Sequence, residues 1–310
     1  MSMKTEKVHP LGFLLVLCVC VLVFMPSCAH KSPLKDKMFI QSYGMDGQFV
    51  ITVDASKVNL GEYVDTTSSD VSYITERMSR LSIVLFDKTG QYSDYPADLS
   101  GYDFDGAIEG NYSKLLLTTA LKVSGILTQE KGESGLKFFV DESSGLQAAV
   151  PANGIILFSS DSVEESYEAT FKSDDKLISD EQAQKLASCE IGIYVSNPKT
   201  MVDLGFDIPQ SSLENIEYIL LMLNGDTFSI DFKLKNETLA KSFSIIIKGS
   251  YVGELRRAGE AIDFEQLKQQ FVQEFDMLSV NELELTQEQK EAIKTVISGL
   301  IDAFNFGGTE

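Results

Sequence analysis

Histidine is nearly missing from this chain of 310 residues: there are two, His9 and His30. Everything beyond residue 30 therefore lacks imidazole. That excludes Ser-His-Asp and Cys-His catalysis there and removes the commonest zinc ligand. Tryptophan is absent altogether, which takes away the largest stacking platform a sugar cleft could offer. Positive charge is scarce too, with 26 Lys and Arg against 46 Asp and Glu and a net charge of −20. Such a surface repels phosphates, so nucleic-acid partners are disfavoured. Neither a P-loop nor a GxGxxG opening a helix after a strand is found, and "GESG" at 132–135 is too short to count. The acidity does not signal disorder, because the hydrophobic fraction is an ordinary 44%.

What the chain does contain begins at its N-terminus. Lys4 and Lys7 precede "LGFLLVLCVCVLVF" at 11–24, an uncharged run of secretory proportions and too short for a comfortable membrane span. The small residue Ser27 then precedes Cys28. "MPSC" at 25–28 resembles the lipobox of bacterial lipoproteins. The resemblance covers residues 1–28 only, and implies cleavage between Ser27 and Cys28, with diacylglycerol and a fatty acid carried covalently on Cys28. No other cofactor is expected. Two or three acyl chains make a stable anchor where one does not. Ala29 is not the aspartate that retains some lipoproteins at an inner membrane, so the expectation is a lipid-anchored envelope protein at the outer membrane, its leaflet open. "AHKSPLKDK" at 29–37 reads as a flexible tether, and Lys31, Lys35 and Lys37 suit an anionic headgroup surface.

Cys18 and Cys20 would leave with the signal, so Cys189 is the only free thiol of the mature chain and no intramolecular disulfide can form. In "KLASCEIGIYV" its nearest cation is Lys185 and no histidine is close, so it reads as a small buried hydrophobe rather than a nucleophile. Beyond residue 28 no run reaches 18 apolar residues.

The body alternates strand and helix signals. "QFVITVDAS" (48–56), "LSIVLFD" (81–87) and "FDGAIEG" (104–110) read as strands, with helices expected over 68–81 and 111–125. "LKFFVDE", "LQAAVP" and "GIILFSS" form a meander. Asp161 with Glu164 and Ser179 with Gln182 then offer capping boxes for two helices ending near Cys189. From there the pattern starts over. "EIGIYVSNPKTMVDLG" (190–205) parallels "QFVITVDASKVNLG" (48–61), and "NIEYILLML" answers "LSIVLFD". "NGD" turns into "TFSIDFKLKN", and 237–259 reads as a helix unless Ile245 to Ile247 is strand. Asp263 with Gln266 caps a helix bearing Phe264, Leu267, Phe271 and Phe275. "SVNELEL" is a last strand, and Thr286 with Gln289 opens a helix whose stripe runs from Ala292 to Phe304.

The expected fold is α+β, antiparallel sheets covered by helices, with the shared order of elements suggesting two copies of one module. The organisation is a signal at 1–27, lipidated cysteine and tether at 28–37, and modules at 38–178 and 179–310. One segment stands out for chemistry. Across 87–106, Asp87, Asp94, Asp98, Asp103 and Asp105 alternate with Tyr92, Tyr95 and Tyr102. It reads as a solvated loop, a tyrosine-rich contact surface or a calcium loop, although EF-hand spacing fails because position twelve would be Tyr112. No confident metal site and no catalytic residue is assigned. The functional expectation is a non-catalytic binding or structural module for a protein or small ligand. The alternative is a carboxylate-dependent, glycosidase-like envelope hydrolase, which needs only two acids across a cleft.

Overall fold

The computed structural model describes residues 34, 37–58, 73–87, 102–123, 127–198, 208–287, 289–291 and 293–295. Its strands are β1 (Gln48–Asp54), β2 (Met78–Asp87), β3 (Tyr102–Gly110), β4 (Thr128–Lys131), β5 (Lys137–Val140), β6 (Gln147–Ala152), β7 (Ile155–Ser159), β8 (Ile191–Ser196), β9 (Ile216–Asn224), β10 (Thr227–Leu234), β11 (Phe271–Glu274) and β12 (Met277–Glu284). The helices are α1 (Lys114–Val123), α2 (Val163–Phe171), α3 (Asp180–Ser188), a single turn α4 (Gln210–Leu213), α5 (Glu237–Ala258) and α6 (Phe264–Gln270), with a 3-10 turn at Phe39–Ser42. Every strand pairing is antiparallel, and the fold is α+β. No described helix is long and apolar enough to cross a membrane.

The expected sheets are one. Among the described residues twelve strands run in the order β11-β12-β10-β9-β8-β1-β2-β3-β7-β6-β5-β4. Reading outward from the centre, β1-β2-β3-β7-β6 on one side repeats as β8-β9-β10-β12-β11 on the other, with the β4-β5 hairpin extending the first half. The halves meet where β1 pairs with β8, and the register places Ile51 opposite Ile193. Those two isoleucines hold the same position in the paralleled segments "QFVI" and "EIGI".

Alternation sends Phe49, Ile51 and Val53 to one face of the sheet and Val50 to the other. On the first face they join Ile83, Leu85, Leu221, Leu223 and Phe232, against which α5 lays Ala240, Phe243 and Ile247. The rings of Phe232 and Phe243 meet edge to face at 5.1 Å. On the second face Val84, Leu157, Tyr194 and Leu220 pack under the 3-10 turn, α2 and α3. Burial on both faces is why the central strands read as continuous apolar runs such as "IVLF" and "ILLML".

Helix ends follow local chemistry. Ser179 and Gln182 form the expected capping box of α3, whereas α2 starts one residue later than the sequence suggested, with Ser162 accepting from the Glu165 amide. Lys57 and Arg80 donate to the carbonyls of Ser188 and Ala187 at the end of α3. Region 237–258 is helix throughout, opened by the Asn236 side chain and closed by Gly259 at φ 74.

Two expected helices are shorter than read. Met78 and Leu81 belong to β2, because this strand pairs with β1 and β3 along its length and that pairing overrides the local helical spacing. Phe271 opens β11 and Phe275 sits at φ 50 in the turn to β12, so only Phe264 and Leu267 of that stripe are in α6. The edge strand β4, "TQEK", carries no apolar alternation and gave no signal. Thr286 and Gln289 exchange the bonds of a capping box, while most of the stripe that follows lies outside the described residues.

Candidate functional site

Of the residues singled out by sequence, Ser27, Cys28, Tyr92, Asp94, Tyr95 and Asp98 lie outside the described residues. The rest are in strands, not in a loop. Asp87 ends β2 opposite Tyr102, which begins β3. The strands read at 81–87 and 104–110 already took in Asp87 and Asp105, and β3 starts two residues earlier because Tyr102 and Asp103 also gain ladder partners, which corrects the loop reading for those two. Tyr102 is buried on the first face. Asp103 accepts from the Ser160 hydroxyl at 3.1 Å. Among the described residues no three His, Cys, Asp or Glu gather as a metal site would require.

Asp105 has the most distinctive surroundings. It sits between Val84 of β2 and Ser159 of β7 in the ladder. The Tyr43 hydroxyl donates to its Oδ2 at 3.0 Å and also meets the Ser166 Oγ of α2 at 2.9 Å. Burial pushes the Asp105 carboxyl up to about 6, against hydrogen bonds from Ser159 and Tyr43 that favour its charge, and the Asp161 and Glu165 carboxylates add to the rise. Burial, then the charge of Asp105, raises the Tyr43 phenol well above its ordinary value.

This polar group fastens the N-terminal segment to the body. Phe39 and Ile40 are buried in the core. Gln41, itself 2% exposed, donates to the Ile178 carbonyl at 3.2 Å and to Asp180 Oδ1 at 2.8 Å, and accepts from the Met38 amide at 2.8 Å. The Lys37 ammonium donates to the carbonyls of Ala169, in the last turn of α2, and Ser173, just past its end. Burial lowers its pKa, and the nearby Asp175 and Asp174 oppose that shift. Thus residues 37–43 are stitched to β3, α2 and α3, and Lys37, read from sequence as the end of a flexible tether, is held by the end of α2 instead. Sequence placed the module boundary at residue 38 but singled out none of Tyr43, Gln41 and Ser166. The clustering of Phe39, Ile40 and Tyr43 after a polar segment was the available signal.

Asp231 accepts from Lys185 at 3.1 Å and from Ser279 at 2.6 Å on the second face. Cys189 is buried and its thiol donates to the Leu186 carbonyl at 2.9 Å, with burial pushing it up to about 11, far from a reactive thiolate.

The chain matches no described family and no curated protein. Among solved structures it is similar to crystal form I of TP0453, with 11% identity over 84% of this chain and 98% of that one and a TM-score of 0.52. Crystal form III of the same protein gives 12% identity, 87% and 99% coverage and a TM-score of 0.49. At that identity the likeness is one of fold alone.

Proposed function

We propose that the chain is a lipid-anchored protein of the bacterial envelope whose body is a non-catalytic binding or structural module. One observation carries the reading. Basic residues, a short apolar run, a small residue and a cysteine follow one another in secretory order and end in "MPSC" at 25–28. The body fits the role of cargo on such an anchor, because its N-terminal segment enters the core directly through Phe39, Ile40 and Gln41.

A second reading has one feature in its favour. Asp105, with a pKa near 6 and carboxylates at Asp161 and Glu165, has the proton affinity of a general acid. Its hydrogen bonds, however, run to Tyr43 between buried elements. That is the environment of a structural group, so we favour binding over hydrolysis.

Labelling with a fatty-acid analogue is expected to mark the wild type and not Cys28→Ala. Equal labelling of both would refute the anchor. Protease shaving of intact cells then separates a periplasmic body from an exposed one.

A further inference from the structure

The stretch between the candidate anchor and the body is shorter than the sequence suggests. Leu34 packs against the hydrophobic cluster of the second face, which holds Tyr43, Ile178 and Leu186. Lys37 is fastened to the end of α2, and the 3-10 turn Phe39–Ser42 sits over β1 and β2. Those are the sixth and seventh of the twelve strands, so the chain enters the body at the middle of its second face. Between Cys28 and Leu34 only residues 29–33 remain. Whatever its conformation, that stretch reaches at most about 20 Å.

We propose that, if Cys28 carries the acyl chains as read above, this short leash lays the second face on the leaflet that holds them and turns the first face away. The surface beside the leash is made by the 3-10 turn and the connection after α2, where the Leu177 amide donates to the Gln41 carbonyl. Met38 and Leu177 are 37% and 46% exposed there and bring apolar side chains to the headgroups. Charge does little of the orienting, because Asp174 and Asp175 offset Lys172 and Lys176.

Reach does the rest. Twelve strands span about 50 Å, so from the middle of the sheet the leash cannot carry the body round either edge. Passing a strand end instead takes half a strand, about 12 Å, and then the depth of the sheet and a helix layer, about 15 Å more. Together these exceed the leash. Helix α5, whose Ile245 is 73% exposed, therefore faces away from that leaflet, and the first face is left open to the aqueous side.

Energy transfer tests this on the mature acylated chain in vesicles of phosphatidylethanolamine and phosphatidylglycerol that carry a trace of headgroup-linked acceptor dye. With Cys189 replaced by alanine, the donor is attached at Leu177→Cys, at Lys172→Cys as a second position on the same side, or at Ile245→Cys. Transfer is expected to be several-fold stronger from 177 and 172 than from 245. Equal transfer, or more from 245, would overturn the proposal. A Gly-Ser insert of about twelve residues after Lys31 extends the reach to roughly 60 Å and should erase the difference. A difference that survives the insert would overturn the leash as its cause. Flotation of the vesicles separates the two readings: a chain that does not float with them overturns the anchor and the orientation together, whereas one that floats with equal transfer overturns the orientation alone.

Discussion

Gly106 in the middle of β3 has no freedom to become alanine. It pairs across the ladder with Phe158, whose ring lies over the glycine. A Cβ added there would stand 1.9 Å and 2.0 Å from two ring carbons. The ring cannot swing away cheaply, because Phe158 is 2% exposed and packs 6.2 Å from Phe104. Relieving the clash means moving a close-packed aromatic off its rotamer and shifting β7, which costs about 1–3 kcal/mol. Against that, alanine gains about 0.4–1 kcal/mol by restricting the unfolded chain. Gly106→Ala should therefore lose about 1 kcal/mol, seen as a lower urea midpoint at unchanged m-value. A double-mutant cycle sharpens the test. Phe158→Ala alone should cost about 3–5 kcal/mol. In that background the alanine at 106 enters the space the ring vacated, so the double variant should be no worse than Phe158→Ala alone. A Gly106→Ala cost under about 0.5 kcal/mol, or strict additivity in the cycle, would refute the contact as the cause.

Two further substitutions probe the second face. Lys185→Met removes the cation bonded to the buried Asp231 carboxylate; because Lys185 is itself 43% exposed, the loss should be only about 1–2 kcal/mol by chemical denaturation, and Asp231→Asn in the same chain should recover part of it. Ser179→Ala deletes one side of the α3 capping box and should lose about 1 kcal/mol, which Ser179→Asp should largely restore.

Most of the sheet was legible because its strands bury both faces and announce themselves as apolar, β-branched runs. Where a strand lacked that signature, as in "TQEK", only its edge pairing with β5 makes it a strand, and pairing is a relation between distant segments. The helix expected at 68–81 failed at Met78 for the same reason: helical spacing is local, whereas the β2 ladder is not. The acid-rich segment misled in a different way. Asp103 looked like a loop residue by composition, but with Asp105 at i+2 it shares one strand face, where Ser160 and Tyr43 satisfy the two carboxylates. That Tyr43 would be the partner of Asp105, 62 positions away, could not be read from either neighbourhood.

The pairing of Ile51 with Ile193 sets a schedule for synthesis. β1 gains β2 as its first neighbour early, but its other flank stays open until residues 191–196 have been made. Throughout that interval "FVITV" presents unpaired amides and carbonyls on an apolar, β-branched segment, the kind of edge that recruits foreign strands. Because β8 repeats the position of β1, the most competent intruder is the same segment of another nascent copy, paired antiparallel in the place β8 will take. Contacts so distant in sequence form slowly. The step most exposed to failure in this molecule is thus the closing of its own midline, and it falls while the chain is still being delivered across a membrane if the signal at 1–27 acts as read.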